Sequence, residues 1–248
     1  MEESSKLQSI IKKSIVFFVF ILFLAVIGTT ILKYNIEGEK NMPFNLSKIF
    51  IISSAEGVKK DELNESNWNV DVYQTNDIYL NITKNKNYKD EEIIKSLQIK
   101  NIEINNKPQI GDINIFIPKD SDKDSEKFKG ENKIDNDIEY VGDIESDIGN
   151  FKISNQGGTL FFSVVNITGK SFESDDDVLK HDGTLLEKAN ISNEEIKFNI
   201  SFDIVINLES EISYTGKVNL ELPIDNVVSK GVTSFDKEET KDIIFKRN

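Results

Sequence analysis

Residues 196–208 read IKFNISFDIVINL, and this stretch shows the strictest alternation of apolar and polar side chains in the chain. Every second position is apolar: Ile196, Phe198, Ile200, Phe202, Ile204, Ile206 and Leu208. The positions between them are mostly polar, with Ser201 and Asp203 at the centre. Because successive side chains of a strand point to opposite faces, the pattern predicts a β-strand with one face in a core and the other in water.

The segments on either side of this strand extend the same pattern. Residues 212–222 alternate in the same way after the polar triplet Glu209-Ser210-Glu211, which predicts an antiparallel hairpin. Upstream, the apolar stretches 151–153 and 159–165 flank Gln156-Gly157-Gly158. Glycine at this point predicts a turn with a positive φ.

Shorter strands are predicted in the first half of the chain. Residues 49–52 are apolar and 78–82 alternate, while the phase of 97–104 changes between Ile99 and Ile102, which predicts a bulge. A strand over 113–117 is closed by Pro118. The acidic start of residues 90–97 favours a short helix there.

This spacing of strands predicts a mainly β fold, an extracytoplasmic β-sandwich made of two packed β units. The first unit is expected over 49–118 and the second over 151–248. Residues 119–150 are dense in charged and polar side chains, so they are interpreted as a solvated acidic connector.

An N-terminal membrane anchor is the clearest feature outside the β region. Residues 14–32, SIVFFVFILFLAVIGTTIL, carry no charge and as a helix would be roughly 28 Å long, the thickness of a bilayer core. No small-x-small cleavage pattern follows, so a retained transmembrane helix in contact with membrane lipid is favoured over a cleaved signal peptide. Lys12 and Lys13 favour residues 1–13 in the cytoplasm and everything from about Lys33 onward, including a stalk at 33–48, outside the cell.

Composition narrows the range of functions. The formal charge of -13 disfavours nucleic acid as a partner, and the lack of cysteine excludes disulfides, thiol catalysis and thiolate metal sites. Arg247 is the only arginine and His181 the only histidine. The richness in lysine, asparagine and isoleucine is typical of AT-rich coding in a low-GC bacterium.

Several short segments carry a resemblance. They are Met42-Pro43-Phe44, Ser54-Ala55-Glu56-Gly57, Asn155-Gln156-Gly157-Gly158 and His181-Asp182-Gly183-Thr184-Leu185-Leu186. Together they resemble uncharacterised single-pass membrane proteins of low-GC Gram-positive bacteria. The resemblance implies the cell membrane as the location and implies no catalytic or ligand-binding residues.

The sequence contains only weak signals for a metal site or a catalytic site. Asp120, Asp122, Asp124 and Glu131 take positions 1, 3, 5 and 12 of an EF-hand loop, but Ser125 replaces the glycine that its turn needs. Weak calcium binding there stays open. The triplet at 175–177 is interpreted as a solvated loop, and His181-Asp182-Gly183 as a turn, because no G-x-S-x-G elbow accompanies it.

The sequence therefore predicts no catalytic, cofactor or metal residue and no cofactor. Trp68 is interpreted as a buried sandwich residue in preference to an exposed ligand platform. The favoured function is binding of an unidentified protein or cell-wall partner at the cell surface by a membrane-anchored β-sandwich. The alternatives are an extracytoplasmic cell-wall-active enzyme and an accessory subunit of a membrane complex.

Overall fold

The computed structural model describes residues 2–64, 67–117, 133–134, 137–141, 151–175, 184–238, 240 and 242–248. Residue contacts divide the chain into two units, Met1–Asn41 and Met42–Asn248. The first unit consists of helix α1, Glu2–Glu37. The helix ends where Gly38 takes a φ of 67° and its amide donates to the carbonyl of Tyr34 at 2.8 Å. The predicted stalk therefore begins as helix, because nothing before Gly38 breaks the backbone pattern.

The second unit is built from strands and three short helices. In chain order the strands are β1 Phe44–Asn64, β2 Asn67–Lys84, β3 Ile94–Asn106, β4 Asp112–Phe116, β5 Lys133–Ile134, β6 Ile138–Val141, β7 Phe151–Lys152, β8 Gly157–Ser174, β9 Phe198–Leu208, β10 Ser213–Leu222, β11 Val232–Lys237 and β12 Phe245–Arg247. The helices are α2 Thr184–Lys188, α3 Asn193–Ile196 and α4 Val227–Lys230.

Within the described residues these strands form two six-stranded sheets. Sheet A has the order β11-β1-β2-β8-β4-β5, and sheet B has the order β12-β10-β9-β3-β6-β7. Neighbouring strands run antiparallel, except that β6 and β7 are parallel. The mainly β sandwich predicted from the alternation is confirmed.

The main core lies between the inner faces of the two sheets. Phe162 of β8 meets Phe202 of β9 edge to face, with ring centroids 5.3 Å apart, and both side chains are fully buried. Rows of isoleucine and leucine surround this pair, including Ile51, Ile78 and Ile204. Burial of this apolar surface is the main driving force for the fold, and the aromatic pair adds to it.

A second hydrophobic cluster lies where α2, α3 and α4 contact sheet A. Leu186 of α2, Ile196 of α3 and Val227 of α4 are fully buried in it, together with Val72 of β2. Ile196 was expected to begin the strand, but it ends α3 and belongs to this cluster instead. The reason is local: the Glu195 carboxylate accepts hydrogen bonds from the amide and hydroxyl of Ser192, which closes a helical turn.

The two packed layers are the two sheets and not the chain segments 49–118 and 151–248. Sheet A joins β1, β2 and β4 to β8 and β11, and sheet B joins β3 to β9. Which strands pair is determined by the faces that must be buried. It does not depend on how far apart the two strands lie in the sequence. The domain boundary predicted at 119–150 therefore does not divide the sandwich.

Three local expectations have different outcomes. The bulge is confirmed, because the β3–β9 register shifts between Lys100 and Glu103 and Asn101 has a φ of 52°. The turn at Gly157 is confirmed with a φ of 113°. The helix over 90–97 is wrong: Ile94 begins β3 opposite Leu208, because burial of Ile94 in the main core overrides the acidic start.

Candidate functional site

Helix α1 exposes apolar side chains along most of its length. Val16 is 69% exposed and Phe17 65%, and none of the apolar stretch in Ile11–Glu37 is buried against protein. This stretch has a mean hydropathy of 3.0 and is long enough to cross a membrane. Surface of this kind is unfavourable in water, so the helix is suited to an apolar environment.

The two threonine hydroxyls inside the apolar stretch are satisfied by the helix itself. The hydroxyl of Thr29 donates to the carbonyl of Val26 at 2.9 Å, and that of Thr30 donates to the same oxygen at 2.8 Å. These bonds matter because an unsatisfied hydroxyl is costly in hydrocarbon. The two threonine hydroxyls are therefore compatible with burial in lipid.

The outer face of sheet B presents an ordered polar surface. We call it the amide face, and its polar side chains on β3, β9 and β10 include Ser96, Gln98, Asn101, Asn105, Asn199, Ser201, Asp203, Asn207, Ser213, Thr215, Lys217 and Asn219. The strand registers place Lys100, Glu103, Val205 and Glu221 on the same side. Neighbouring strands stand about 4.8 Å apart, so these groups form a regular array of donors and acceptors.

Hydrogen bonds between strands orient the amides of this face. Asn207 Nδ2 donates to Ser96 Oγ at 3.0 Å, Asn101 Nδ2 donates to Asp203 Oδ2 at 2.8 Å, and Asn105 Nδ2 donates to Ser201 Oγ at 3.0 Å. Ser201 was expected to face water, but it is only 1% exposed because the contact with Asn105 covers it. Side chains held in this way lose less conformational entropy when a ligand binds.

One end of the amide face forms an open depression of about 380 Å³. Its lining includes Lys95, Gln98, Glu139 and Asn207, and Gln98 Nε2 donates to Glu139 Oε1 at 2.6 Å. Acid, base and amide groups therefore meet in one concave surface. The arrangement can bind a polar ligand by hydrogen bonds and by charges of both signs.

A layer of buried polar side chains separates the main core from the second cluster. Asn76 Oδ1 accepts from Ser53 Oγ at 2.6 Å and from Gln74 Nε2 at 3.0 Å, while its Nδ2 donates to Gln74 Oε1 at 3.0 Å. Ser53 Oγ also accepts from the amide of Ile224 at 2.9 Å. All three polar side chains are fully buried. Because these three side chains are paired with one another, they stabilise one arrangement of β1 against β2. The Oγ1 of Thr75, which is buried in the same run, has no hydrogen-bond partner among the described residues.

Most of the chemical candidates from the sequence lie outside the described residues. These are Asp120, Asp122, Asp124, Glu131, Asp176, Asp177, His181 and Asp182. Asp175 is described and is exposed. Among the residues that the structure describes, no three Asp, Glu or His side chains come together as a metal site. Whether residues 120–131 bind calcium weakly therefore stays open.

Trp68 is neither an open platform nor a core residue. It is half-buried on β2, and the Nζ of Lys59 lies 4.6 Å from the centroid of its ring. A cation over the ring face is a stabilising contact in its own right. The ring therefore already has a partner within the protein.

No protein-family model matches this sequence, and no curated protein is significantly similar to it.

The amide face and the buried polar layer were both missed by sequence reasoning. The signal for the layer was the run Gln74-Thr75-Asn76, which interrupts the alternation of β2 and is fully buried. A polar run of this kind normally indicates the end of a strand. The signal for the amide face was only a high content of asparagine, which does not reveal which strands are neighbours.

Proposed function

We propose that this chain is a membrane-anchored binding protein of the cell surface. In this proposal α1 crosses the membrane and the sandwich lies outside the cytoplasm. The observation that carries the proposal is the exposed apolar surface of the helix, which precedes a sandwich with a hydrophobic core of its own. Anchoring by lipid gives that surface the environment it requires.

The orientation follows from the lysines at the start of the span. Lys12 and Lys13 precede the apolar stretch directly, and positive charge next to a span favours the cytoplasmic side. Lys33 and Lys40 follow the apolar stretch and favour the opposite orientation. Lys40, however, forms an ion pair with Glu37 at 2.5 Å. A large folded domain after a single span commonly lies outside.

The binding role is supported by the amide face. Its amides and hydroxyls are oriented by hydrogen bonds between strands, and a concave depression lies at one end. Such a face fits a polar partner, either an extracellular protein surface or a polymer of the cell wall. The partner is recognised by several hydrogen bonds over a broad area.

Topology is tested with single cysteines, because the chain contains none of its own. Ser5→Cys and Asn219→Cys variants are expressed in bacterial cells and treated with a membrane-impermeant maleimide. We expect Asn219→Cys to react in intact cells and Ser5→Cys to react only after permeabilisation. The reverse pattern would overturn the orientation. Extraction of the chain by alkaline carbonate would overturn the anchor.

The binding face is tested with a photo-crosslinking amino acid in intact cells. It is placed at Lys217, which is exposed on the amide face, and at Thr159, which is exposed on the outer side of sheet A. We expect one discrete crosslinked product from position 217 and none of that mass from position 159. Equal capture at both positions would show that the amide face is not the binding surface.

A further inference from the structure

Each sheet of the sandwich ends in edge strands, and the described edges differ in how they are protected. β5 and β7 are two residues long, and β12 has three residues, of which Lys246 and Arg247 are exposed. Short length and exposed positive charge both hinder pairing with another chain. β11, Val232–Lys237, has six residues, and its register with β1 contains no bulge. Among the described strands it is the edge best suited to accept a further strand.

Half of the backbone groups of β11 point to the open side. The amide of Ala55 donates to the carbonyl of Gly231 at 2.9 Å, which marks a hydrogen-bonded pair one step beyond Ser54↔Val232. Such pairs alternate along an antiparallel ladder, so every second residue of β11 bonds to β1 and the residues between them direct their amide and carbonyl outward. No strand among the described residues pairs with this outward side. The outward residues are Val232, Ser234 and Asp236.

The same strand exposes apolar side chains. Val232 is 52% exposed and Phe235 40%, and outside α1 the only other large apolar side chains classed as exposed in the described residues are Ile93 and Ile244. Phe235 lies opposite the fully buried Ile51, on the core-facing side of sheet A, and it is left open because the sheet ends there. An added strand would cover both side chains of β11.

The charged side chains of this edge are neutralised within the chain. Asp236 forms an ion pair with Lys48 at 2.6 Å, and Lys237 forms one with Asp242 at 2.6 Å. Two copies that each carry a formal charge of -13 repel one another in general. An edge whose charges are already paired is a place where that repulsion is weak.

The ends of β11 carry opposite charges, because Lys230 comes just before the strand and Glu238 just after it, and both are exposed. When two β11 strands run antiparallel, the start of each lies beside the end of the other, so Lys230 of one copy approaches Glu238 of the second copy at both ends. A parallel pair would bring like charges together instead. Lys230 also pairs with Asp225 of its own chain, and its ammonium group has donors for both carboxylates. β11 is therefore complementary in charge to a second, antiparallel β11.

We propose that two copies of this chain associate through their β11 strands, which pair antiparallel with Ser234 at the centre. In this register Ser234 lies opposite Ser234 of the second copy, and Val232 lies opposite Asp236 of the second copy, so every outward backbone group is paired. The two Phe235 rings become diagonal neighbours on the core-facing side, within reach of one another. The A sheets of both copies then form one continuous sheet. The contact is small, so we expect a weak dimer that is populated at high protein concentration.

The test uses full-length chains in detergent micelles, each with one introduced cysteine. The natural chain has no cysteine, so each disulfide reports one contact. Residues opposite each other in a hydrogen-bonded pair have Cα atoms about 5.5 Å apart, which suits a disulfide. We expect Ser234→Cys to form disulfide-linked dimers under mild oxidation. We also expect a mixture of Val232→Cys with Asp236→Cys to form mixed dimers, which a longer tag on one chain separates by electrophoresis.

Asp236→Cys alone is the matched control, because this position is exposed on the same strand. In the proposed register the two copies of residue 236 are offset by four residues, roughly 14 Å along the strand, which is too far for a disulfide. We expect no dimer from this variant. Random collision, or association through α1 alone, would link Asp236→Cys as readily as Ser234→Cys, and that result would overturn the proposal.

Two further changes at Ser234 separate strand pairing from loss of the fold, and both are made in the mixture of Val232→Cys and Asp236→Cys chains. Ser234→Pro removes an outward amide that does not bond to β1, and proline is tolerated at such edge positions. Ser234→Lys keeps the amide but places two ammonium groups opposite each other. We expect both changes to abolish the mixed dimer, and we expect high salt to restore it only in the lysine variant.

The melting temperature of the lysine variant should equal that of the natural chain, because Ser234 is exposed. Mixed dimers that persist in this variant at low salt would show that β11 does not form the contact. Failure of Ser234→Cys to form dimers even at millimolar protein would refute the proposal as well.

Discussion

Gly157 occupies a backbone conformation that other residues rarely adopt. Its φ is 113°, and an added Cβ would lie 2.4 Å from the carbonyl oxygen of Ile82. Gly169 has a φ of 66°, but an added Cβ there meets no atom within 4 Å. We predict that Gly157→Ala lowers the free energy of unfolding by roughly 3 kcal/mol or more, and Gly169→Ala by about 1 kcal/mol. Urea unfolding measures both, and equal losses would contradict the steric argument.

Tyr140 supplies hydrogen bonds that the sheet itself does not. β4 pairs with β8 only as far as Ser163, and beyond it the hydroxyl of Tyr140 accepts from the amide of Phe161 at 2.9 Å and donates to its carbonyl at 2.6 Å. Tyr140→Phe would leave both backbone groups of Phe161 without this partner. We predict a loss of about 2 kcal/mol or more in the free energy of unfolding. A loss below about 0.5 kcal/mol would show that water replaces the hydroxyl.

The same tyrosine makes stability depend on alkaline pH. Burial raises the pKa of Tyr140 above its ordinary value, so the folded state keeps its proton where the unfolded chain releases it. This contribution is complete below the unfolded pKa of about 10 and is lost as pH rises above it. We predict a steeper fall in stability above about pH 10 for the natural chain than for Tyr140→Phe. Some fall remains in the variant, because burial also raises the pKa of Tyr73.

The hairpin of β9 and β10 has faces of different character. Phe202 points into the main core and is fully buried, whereas Asn219 on the next strand is exposed on the amide face. We predict that Phe202→Asp costs roughly 3 kcal/mol or more, because it buries an unpaired charge. Asn219→Asp should change stability by less than about 0.5 kcal/mol. Similar melting temperatures for the two variants would show that the faces are assigned wrongly.

Secondary-structure elements could be predicted where a single segment carries a complete pattern of apolar and polar residues. The hairpin, the bulge at Asn101 and the apolar helix follow from local alternation or from an uninterrupted apolar run. The helix over 90–97 was wrong, because tertiary burial of Ile94 decides against the acidic start. Ser201 was assigned to water because the covering residue, Asn105, comes from a strand whose register the sequence does not reveal.

The arrangement of the whole sandwich lies beyond local patterns for the same reason. β2 pairs with β8 from Trp68↔Ser174 to Thr83↔Gly157, across the segment that was interpreted as a boundary between two units. Alternation specifies which face of a strand is buried, and many partner strands satisfy that requirement equally. The amide face depends on these partners, so it could not be located from the sequence. The anchor needs no neighbouring strand, so it could be located from the sequence.

The limits of the folding unit give a prediction for the whole molecule. A fragment Met42–Asn248 contains both sheets and the complete main core, so we expect it to remain in solution without detergent and to unfold in one cooperative transition. A fragment of residues 49–248 begins at the boundary that the alternation suggested. It lacks Met42, Phe44 and Leu46, which are 3%, 0% and 4% exposed.

The loss of these three side chains should be severe. Removing one large buried side chain costs about 2–5 kcal/mol, and a whole domain is stable by only about 5–15 kcal/mol. The shorter fragment also loses the carbonyls of Met42 and Pro43, to which Asn85 is bonded. We therefore expect it to show no cooperative thermal transition by circular dichroism. Equal melting temperatures for the two fragments would mean that residues 42–48 are a stalk after all.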